Sequence, residues 1–255
     1  MKFRFASLLF VIGSAGAAAG AYAGDFGSKS SLVVFGGGNS TMPGSIPGQT
    51  VVFSGAGEEP GTTVYDNLKF EDVYRNDYNL GTEFDYAFTP QLTAFGRYNY
   101  SSFIGKNQQL GEFTSDSGAT TPVHAAFSDT DTNEFDVGAR YTFMPSSHLQ
   151  PFVGLAIGAE HLSATHADFE DQDGQGETHV KLGEAEDVFH QRAEAGLQYA
   201  ATSNLGFRLS VAASHVNTET KSSDPNLEMV GLGPIVSRSA SHWDYPIELG
   251  AVAYF

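Results

Sequence analysis

Eight stretches of strand length, joined alternately by tight turns and long connections, limit what this chain can fold into. They are Ser31–Asn39, Asp77–Phe88, Leu92–Ile104, Thr132–Phe143, Leu149–Leu162, Phe189–Ala200, Leu205–Val216 and Trp243–Phe255. No helical period of any length competes with them. Three connections are tight: Thr89–Gln91, Met144–His148 and Ala201–Asn204, each with Pro, Ser or Asn to turn the chain. Four are long: Thr41–Asn76, Gly105–Asp131, Ser163–Val188 and Asn217–His242. Tight turns at one end and long loops at the other are the pattern of an antiparallel up-and-down barrel that crosses a bacterial outer membrane. An even strand count returns the C-terminus to the tight-turn side.

The faces of the strands separate a membrane barrel from a soluble sandwich. In Asp77–Phe88 one face reads Tyr78, Leu80, Thr82, Phe84, Tyr86, Phe88, and the other Asn79, Gly81, Glu83, Asp85, Ala87. Phe135, Val137, Ala139, Tyr141 and Phe143 oppose Glu134, Asp136, Gly138, Arg140 and Thr142. Leu205, Phe207, Leu209 and Val211 oppose Gly206, Arg208, Ser210 and Ala212. The polar face mixes charges of both signs with Gly, Ala and Ser, which suits a crowded lumen better than a solvated surface. Aromatics gather at strand ends, as in interfacial girdles. This parity puts Glu83, Asp85, Arg97, Glu134, Asp136, Arg140, Glu160, Arg192, Glu194, Arg208 and Glu248 inside the barrel. Charges in so narrow a space must pair, and Arg97 with Glu83 or Arg140 with Glu160 are the expected neighbours. Eight strands leave an interior that side chains just fill, so the network reads as a plug, with a narrow channel as the alternative.

Both ends of the chain agree with export. Lys2 and Arg4, the uncharged apolar run Phe5–Ala19 and the small-x-small triplet Ala21-Tyr22-Ala23 read as a signal peptide over residues 1–23. The expected mature barrel then covers 24–255, starting at Gly24. No other segment approaches the length of a membrane helix. The formal charge is −17, and losing Lys2 and Arg4 takes it to −19 (−17 − 2). Such a chain is not built to hold a phosphate backbone, so nucleic acid is excluded as a partner. Cysteine is absent, which removes thiol chemistry and disulfides. No cofactor is indicated.

The last ten residues, Pro246-Ile247-Glu248-Leu249-Gly250-Ala251-Val252-Ala253-Tyr254-Phe255, alternate and stop on an aromatic residue. They resemble the C-terminal assembly signal of outer-membrane barrels, carried here by Tyr245, Ile247, Leu249 and Phe255. With the leader and the strand pattern, the whole mature chain resembles the OmpA/opacity family of eight-stranded barrels. That resemblance implies a monomer in outer-membrane lipid and lipopolysaccharide, delivered by the outer-membrane assembly machinery, with a structural or surface-interaction role. The chain departs from the family in placing Ala251 and Ala253 where bulkier lipid-facing residues are common. The Gly36-Gly37-Gly38 run also weakens the alternation of the first strand.

The long connections carry three further candidates. Val51–Phe53 and Val64–Phe70 look like short strands, and a ten-stranded barrel results if they cross the membrane. The third connection is the most acidic, and Asp168, Asp171 and Asp173 there are candidate ligands for a divalent cation. Asp171–Gly176 starts like a calcium loop, but its twelfth position is Val180, and a solvated acidic loop is the plainer reading. Lastly, His215, Asn217 and Glu228 are loosely similar to a lipid A deacylase segment. Asn217 stands where the nucleophilic serine belongs, so a lipid A hydrolase is only an alternative.

Overall fold

The computed structural model describes residues 29–38, 45–46, 48–53, 60–170, 177–220, 224 and 238–255. The expected leader over residues 1–23 lies outside them, as do Asp171, Asp173 and Glu228. In chain order the strands are β1 (Ser30–Gly38), β2 (Ser45–Ile46), β3 (Gln49–Phe53), β4 (Gly61–Tyr65) and β5 (Leu68–Lys69). A one-turn helix, α1 (Phe70–Val73), precedes β6 (Tyr74–Ala87), β7 (Leu92–Gly105), β8 (Asn107–Ser115), β9 (Thr120–Phe127) and β10 (Thr130–Thr142). Then come β11 (Leu149–Leu162), β12 (Thr165–Glu170), β13 (Glu177–Gly183), β14 (Glu186–Ala200), β15 (Leu205–Thr220), β16 (Arg238–Asp244) and β17 (Ile247–Tyr254).

Eight of these close into a barrel in the order β1-β6-β7-β10-β11-β14-β15-β17, and β17 pairs back onto β1. Every pairing is antiparallel. The tight turns are held by side chains that imitate the missing ladder. Thr89 Oγ1 accepts the Leu92 amide at 3.0 Å, and Thr202 Oγ1 accepts the Leu205 amide at 3.0 Å. Closure between β1 and β17 runs in unbroken register from Ser31↔Tyr254 to Gly38↔Ile247. The glycine run of β1 has a steric cause there: a Cβ on Gly37 would lie 2.2 Å from the Ile247 carbonyl oxygen. The last sequence segment is two strands, because Pro246 supplies no ladder amide, and β16 and β17 meet β15 in succession.

The two faces differ sharply. Outside stand Phe84, Val137, Leu155, Ile157, Leu209 and Leu249, each about half or more exposed. Rings collect at the turn end, where Tyr86 packs edge-on to Phe88 and Tyr141 edge-on to Phe143. At the other end Tyr78 meets Tyr100, and His215 meets Trp243. In β1, Ser31, Val33 and Phe35 are the buried positions, which sets its parity.

Among the described residues, the first three long connections are largely strand. β8 and β9 continue β7 and β10 outward past bends at Lys106 and at residues 128–129, and β12 and β13 continue β11 and β14 in the same way. With β3 and β4 they form a six-stranded antiparallel sheet, β13-β12-β9-β8-β4-β3, beyond the barrel rim. It has its own apolar core, including Leu110, Phe127, Phe169, Val180 and Leu182, joined to Tyr74 and Phe103 at the barrel rim. The two strand-like stretches in the first connection are thus β3 and β4–β5 of this outer structure, and the barrel has eight strands. Burial in this core pushes the Tyr65 phenol up to about 12.

Two substitutions distinguish the layers. Leu209→Arg places a charge on the outer face of β15 and is expected to cost about 2–4 kcal/mol near mid-membrane. Leu182→Ala empties a fully buried site and is expected to cost about 2–5 kcal/mol, confined to the outer sheet. Urea titration in lipid vesicles, read by Trp243 fluorescence, measures the first. Protease cleavage of residues 107–183 with the barrel still heat-modifiable on gels reports the second.

Candidate functional site

The barrel interior holds the densest chemistry in the described residues. Alternation turns every second residue of β6, β7, β10, β14, β15 and β17 inward, so Glu83, Asp85, Arg97, Asp136, Arg140, Arg192, Glu194, Arg208 and Glu248 are all buried. Glu134 and Glu160 lie on the same side, less deeply enclosed.

The lower and middle lumen is a matched set of four carboxylates and four guanidiniums. Arg97 grips Glu248 with both terminal nitrogens, Nη1 donating to Oε2 at 2.8 Å and Nη2 donating to Oε1. Arg192 Nη2 donates to the same Glu248 Oε2 at 2.9 Å, and Ser210 Oγ donates to it at 3.3 Å. Arg140 donates to Glu194 Oε1 through Nε at 3.0 Å and Nη2 at 2.6 Å. It also donates to Glu83 at 2.9 Å and Asp85 at 3.2 Å. Arg208 donates to Glu83 and, at 2.6 Å, to Asp85, while its Nε reaches Gln198 at 2.9 Å.

Two sequence-based pairings are therefore corrected. Arg97 faces Glu83 in the β6–β7 register, yet its guanidinium binds Glu248. Arg140 binds Glu194, Glu83 and Asp85 rather than Glu160. A long arginine side chain reaches across a narrow lumen more readily than it folds back onto its neighbour.

Sequence reading missed the aromatic plates behind this network. Phe35, Phe95 and Phe152 point inward, and their rings lie over Gly81, Gly138 and Gly196, where a Cβ would come within 2.2–2.5 Å of ring carbon. Guanidiniums rest on these rings. Arg97 stands 4.0 Å over Phe35, and Arg140 lies between Phe95 at 4.6 Å and Phe152 at 4.8 Å. The only signal was an inward-parity Phe one strand away from an inward-parity Gly.

Towards the outer sheet the chemistry changes. His190 Nε2 lies 2.6 Å from Asp136 Oδ1 and 3.3 Å from Glu134 Oε1. Glu160 lies within electrostatic reach of Glu134 and Asp244. Towards the tight turns, a vestibule of about 470 Å³ opens between Lys29, Thr89, Pro145 and Thr202 and ends at Arg140 and Arg208. Beyond these two residues, within the network, free space shrinks to about 10 Å³.

The other candidates are placed as follows. Ile247 and Leu249 face outward on β17, and Tyr245 and Phe255, just before and just after that strand, are exposed as well. Asp168 sits on β12 and accepts from, or pairs with, His179 Nδ1 at 2.6 Å, so it belongs to a strand pair rather than a loop. His166 stacks on His179 at 5.1 Å, and burial, with the nearby His179 and Lys181, lowers its imidazole pKa. Ser214 and His215 lie on opposite faces of β15, Ser214 buried in the lumen and His215 against Trp243.

An apolar outer belt with aromatic rims, around a closed antiparallel sheet with a charged interior, defines a transmembrane β-barrel of the bacterial outer membrane. No protein-family model matches the chain, and no curated protein sequence does. Solved structures of similar fold include the outer membrane protein OprG from Pseudomonas aeruginosa, at 15% identity and TM-score 0.47, covering 89% of this chain and 97% of that one. The outer membrane protease OmpT from Escherichia coli is 11% identical at TM-score 0.44, covering 91% and 99%. Neisserial surface protein A is 10% identical at TM-score 0.41, covering 89% and 98%.

Removing Arg140 takes a partner from three carboxylates: Glu83 and Asp85 keep Arg208, but Glu194 is left with only Arg192 Nε at 3.8 Å, and a buried charge left unpaired costs about 3–5 kcal/mol. Arg140→Ala is therefore expected to destabilise by about that much. Adding Glu194→Gln should recover part of the loss, because one stranded charge is gone. A double-mutant cycle by urea titration checks this, with a coupling of at least about 0.5 kcal/mol expected.

Proposed function

We propose that the protein is a non-catalytic envelope barrel whose lumen is closed by paired side chains and whose outer sheet is the working surface. The observation that carries this reading is the cross-lumen network. Its eight charged groups come from β6, β7, β10, β14, β15 and β17 and meet in the middle, leaving about 10 Å³ of free space where a conduction path would run. Such a space holds about one water and no hydrated ion. The outer sheet has the opposite design. It spends apolar side chains on a private core beyond the membrane, which gives an extended and rigid edge for contact with envelope or extracellular components.

Lipid and lipopolysaccharide are the expected neighbours of the belt and rim. The outward residues Tyr245, Ile247, Leu249 and Phe255, on or beside the last strand, suit recognition by the assembly machinery. A divalent cation in the third connection would draw on Asp168 together with Asp171 and Asp173. An acyl-hydrolase reading lacks support, since Ser214 and His215 cannot meet across the sheet.

Planar-bilayer recording of the purified barrel tests closure. The expected trace is a flat baseline, with Arg140→Ala/Arg208→Ala the variant that first admits current. A steady single-channel conductance from the unaltered protein would favour a channel instead.

A further inference from the structure

The charge balance of the lumen is local. Four carboxylates, Glu83, Asp85, Glu194 and Glu248, are matched by Arg97, Arg140, Arg192 and Arg208. Above them Glu134, Asp136 and Glu160 gather around a single imidazole, that of His190. The nearest guanidinium nitrogens, Arg97 Nε and Arg192 Nη1, stand off at 3.9 Å from Asp136 and Glu134, and both arginines are bonded to Glu248. Glu134, Glu160 and His190 line a small cavity with Phe103 and Val216, Asp136 closes on His190 beside it, and no guanidinium comes within hydrogen-bond distance of these acids.

The polar atoms around this space are missing partners too. Asn79, 3% exposed, lines the same cavity, and neither its amide nitrogen nor its amide oxygen has a hydrogen-bond partner. Ser214 Oγ, Asn99 Oδ1 and Glu134 Oε1 share that condition on the cavity wall. His190 Nε2 and Asp136 Oδ1 approach to 2.6 Å without the alignment of a hydrogen bond. The cavity, about 20 Å³, has room for one water-sized occupant.

We propose that this upper lumen is a binding site for one divalent transition-metal ion, held by His190 Nε2, Glu134 and Asp136, with Glu160 and Asn79 completing its surroundings. The three ligating atoms lie within 4.8 Å of one another, and His190 Nε2 is 3.3 Å from Glu134 Oε1. Bonds of about 2.1 Å in tetrahedral array put ligand atoms about 3.4 Å apart, so the spacing needs only small side-chain rotations. One imidazole nitrogen among carboxylate oxygens selects zinc or a similar first-row ion over calcium, which takes oxygen ligands alone. The ion adds positive charge beside these carboxylates and ties β10 to β14 across the lumen wall. The site is separate from the acidic third connection, and it stands whether or not the barrel conducts.

The test is equilibrium dialysis of tag-free, chelator-treated protein, refolded in detergent, against zinc chloride at neutral pH. Zinc per chain is measured on heat-modifiable, folded material only. The unaltered protein is expected to hold one zinc. His190→Gln and Glu134→Gln should each weaken binding at least about tenfold, while a His166→Gln/His179→Gln variant of the outer sheet keeps it. Should the lumenal variants fail to fold, X-ray absorption of the zinc-loaded unaltered protein decides, with one imidazole and carboxylate oxygens at about 2.0–2.2 Å expected. No bound zinc, undiminished binding in His190→Gln, an oxygen-only shell, or loss of zinc in the outer-sheet variant would overturn the proposal.

Discussion

Charge inside the barrel is tolerated only in company, and the rest of the structure follows from that constraint. A carboxylate or guanidinium moved from water into a narrow lumen lined by protein loses several kcal/mol of hydration unless a partner replaces it. Here the replacement comes from across the lumen rather than along one strand. Glu248 on β17 joins Arg97 on β7 to Arg192 on β14, and Glu83 and Asp85 on β6 join Arg140 on β10 to Arg208 on β15. These bonds act as spokes that fix the cross-section. The Phe35, Phe95 and Phe152 rings set the depth of the guanidiniums, and the glycines opposite make room for the rings.

With the polar residues committed inward, alternation leaves Phe84, Val137, Leu155 and Leu209 with nothing to pack against except hydrocarbon. The same strands, carried past the rim, meet a different medium. There β8, β9, β12 and β13 bend away from the barrel and pair with one another and with β4, burying Phe127, Phe169, Val180 and Leu182 in a second core. One chain thus builds an inside-out lower layer and a conventionally packed upper layer from the same hairpins.

Much of the lower layer is legible in the sequence because period-two alternation runs for a dozen residues or more in most strands, long enough to set their faces, while the glycine run left the parity of the first strand open and the strand-like stretches of the first connection left eight and ten strands both possible. Strand ends were legible to within a few residues, since Pro90, Pro145 and Asn204 mark turns. Two things were not. The outer sheet was hidden because its strands carry only one or two apolar pairs each, such as Ala125 with Phe127 or Val180 with Leu182, amid polar residues that read as loop. The partners of each lumenal charge were hidden because parity gives the side of the sheet and not the reach across it. Arg140 is linked to residues 54 to 57 positions away in sequence, a distance that no local pattern encodes. The Glu134, Asp136 and His190 cluster was half visible: both acids belong to the inward set, but His190 carries no charge pattern to single it out.

The absence of cysteine makes the central claim, the assignment of faces, open to one clean measurement. Single cysteines placed in turn from Leu205 to Val211 can carry a nitroxide label in protein reconstituted into lipid vesicles. Paramagnetic relaxation by oxygen, which concentrates in hydrocarbon, is then compared with relaxation by a water-soluble nickel complex. Oxygen access should peak at Leu205, Phe207, Leu209 and Val211 and drop at Gly206, Arg208 and Ser210, with period two throughout. A peak of nickel access at the odd positions, or no alternation at all, would contradict a barrel that shows its apolar face to the membrane and keeps its charges inside.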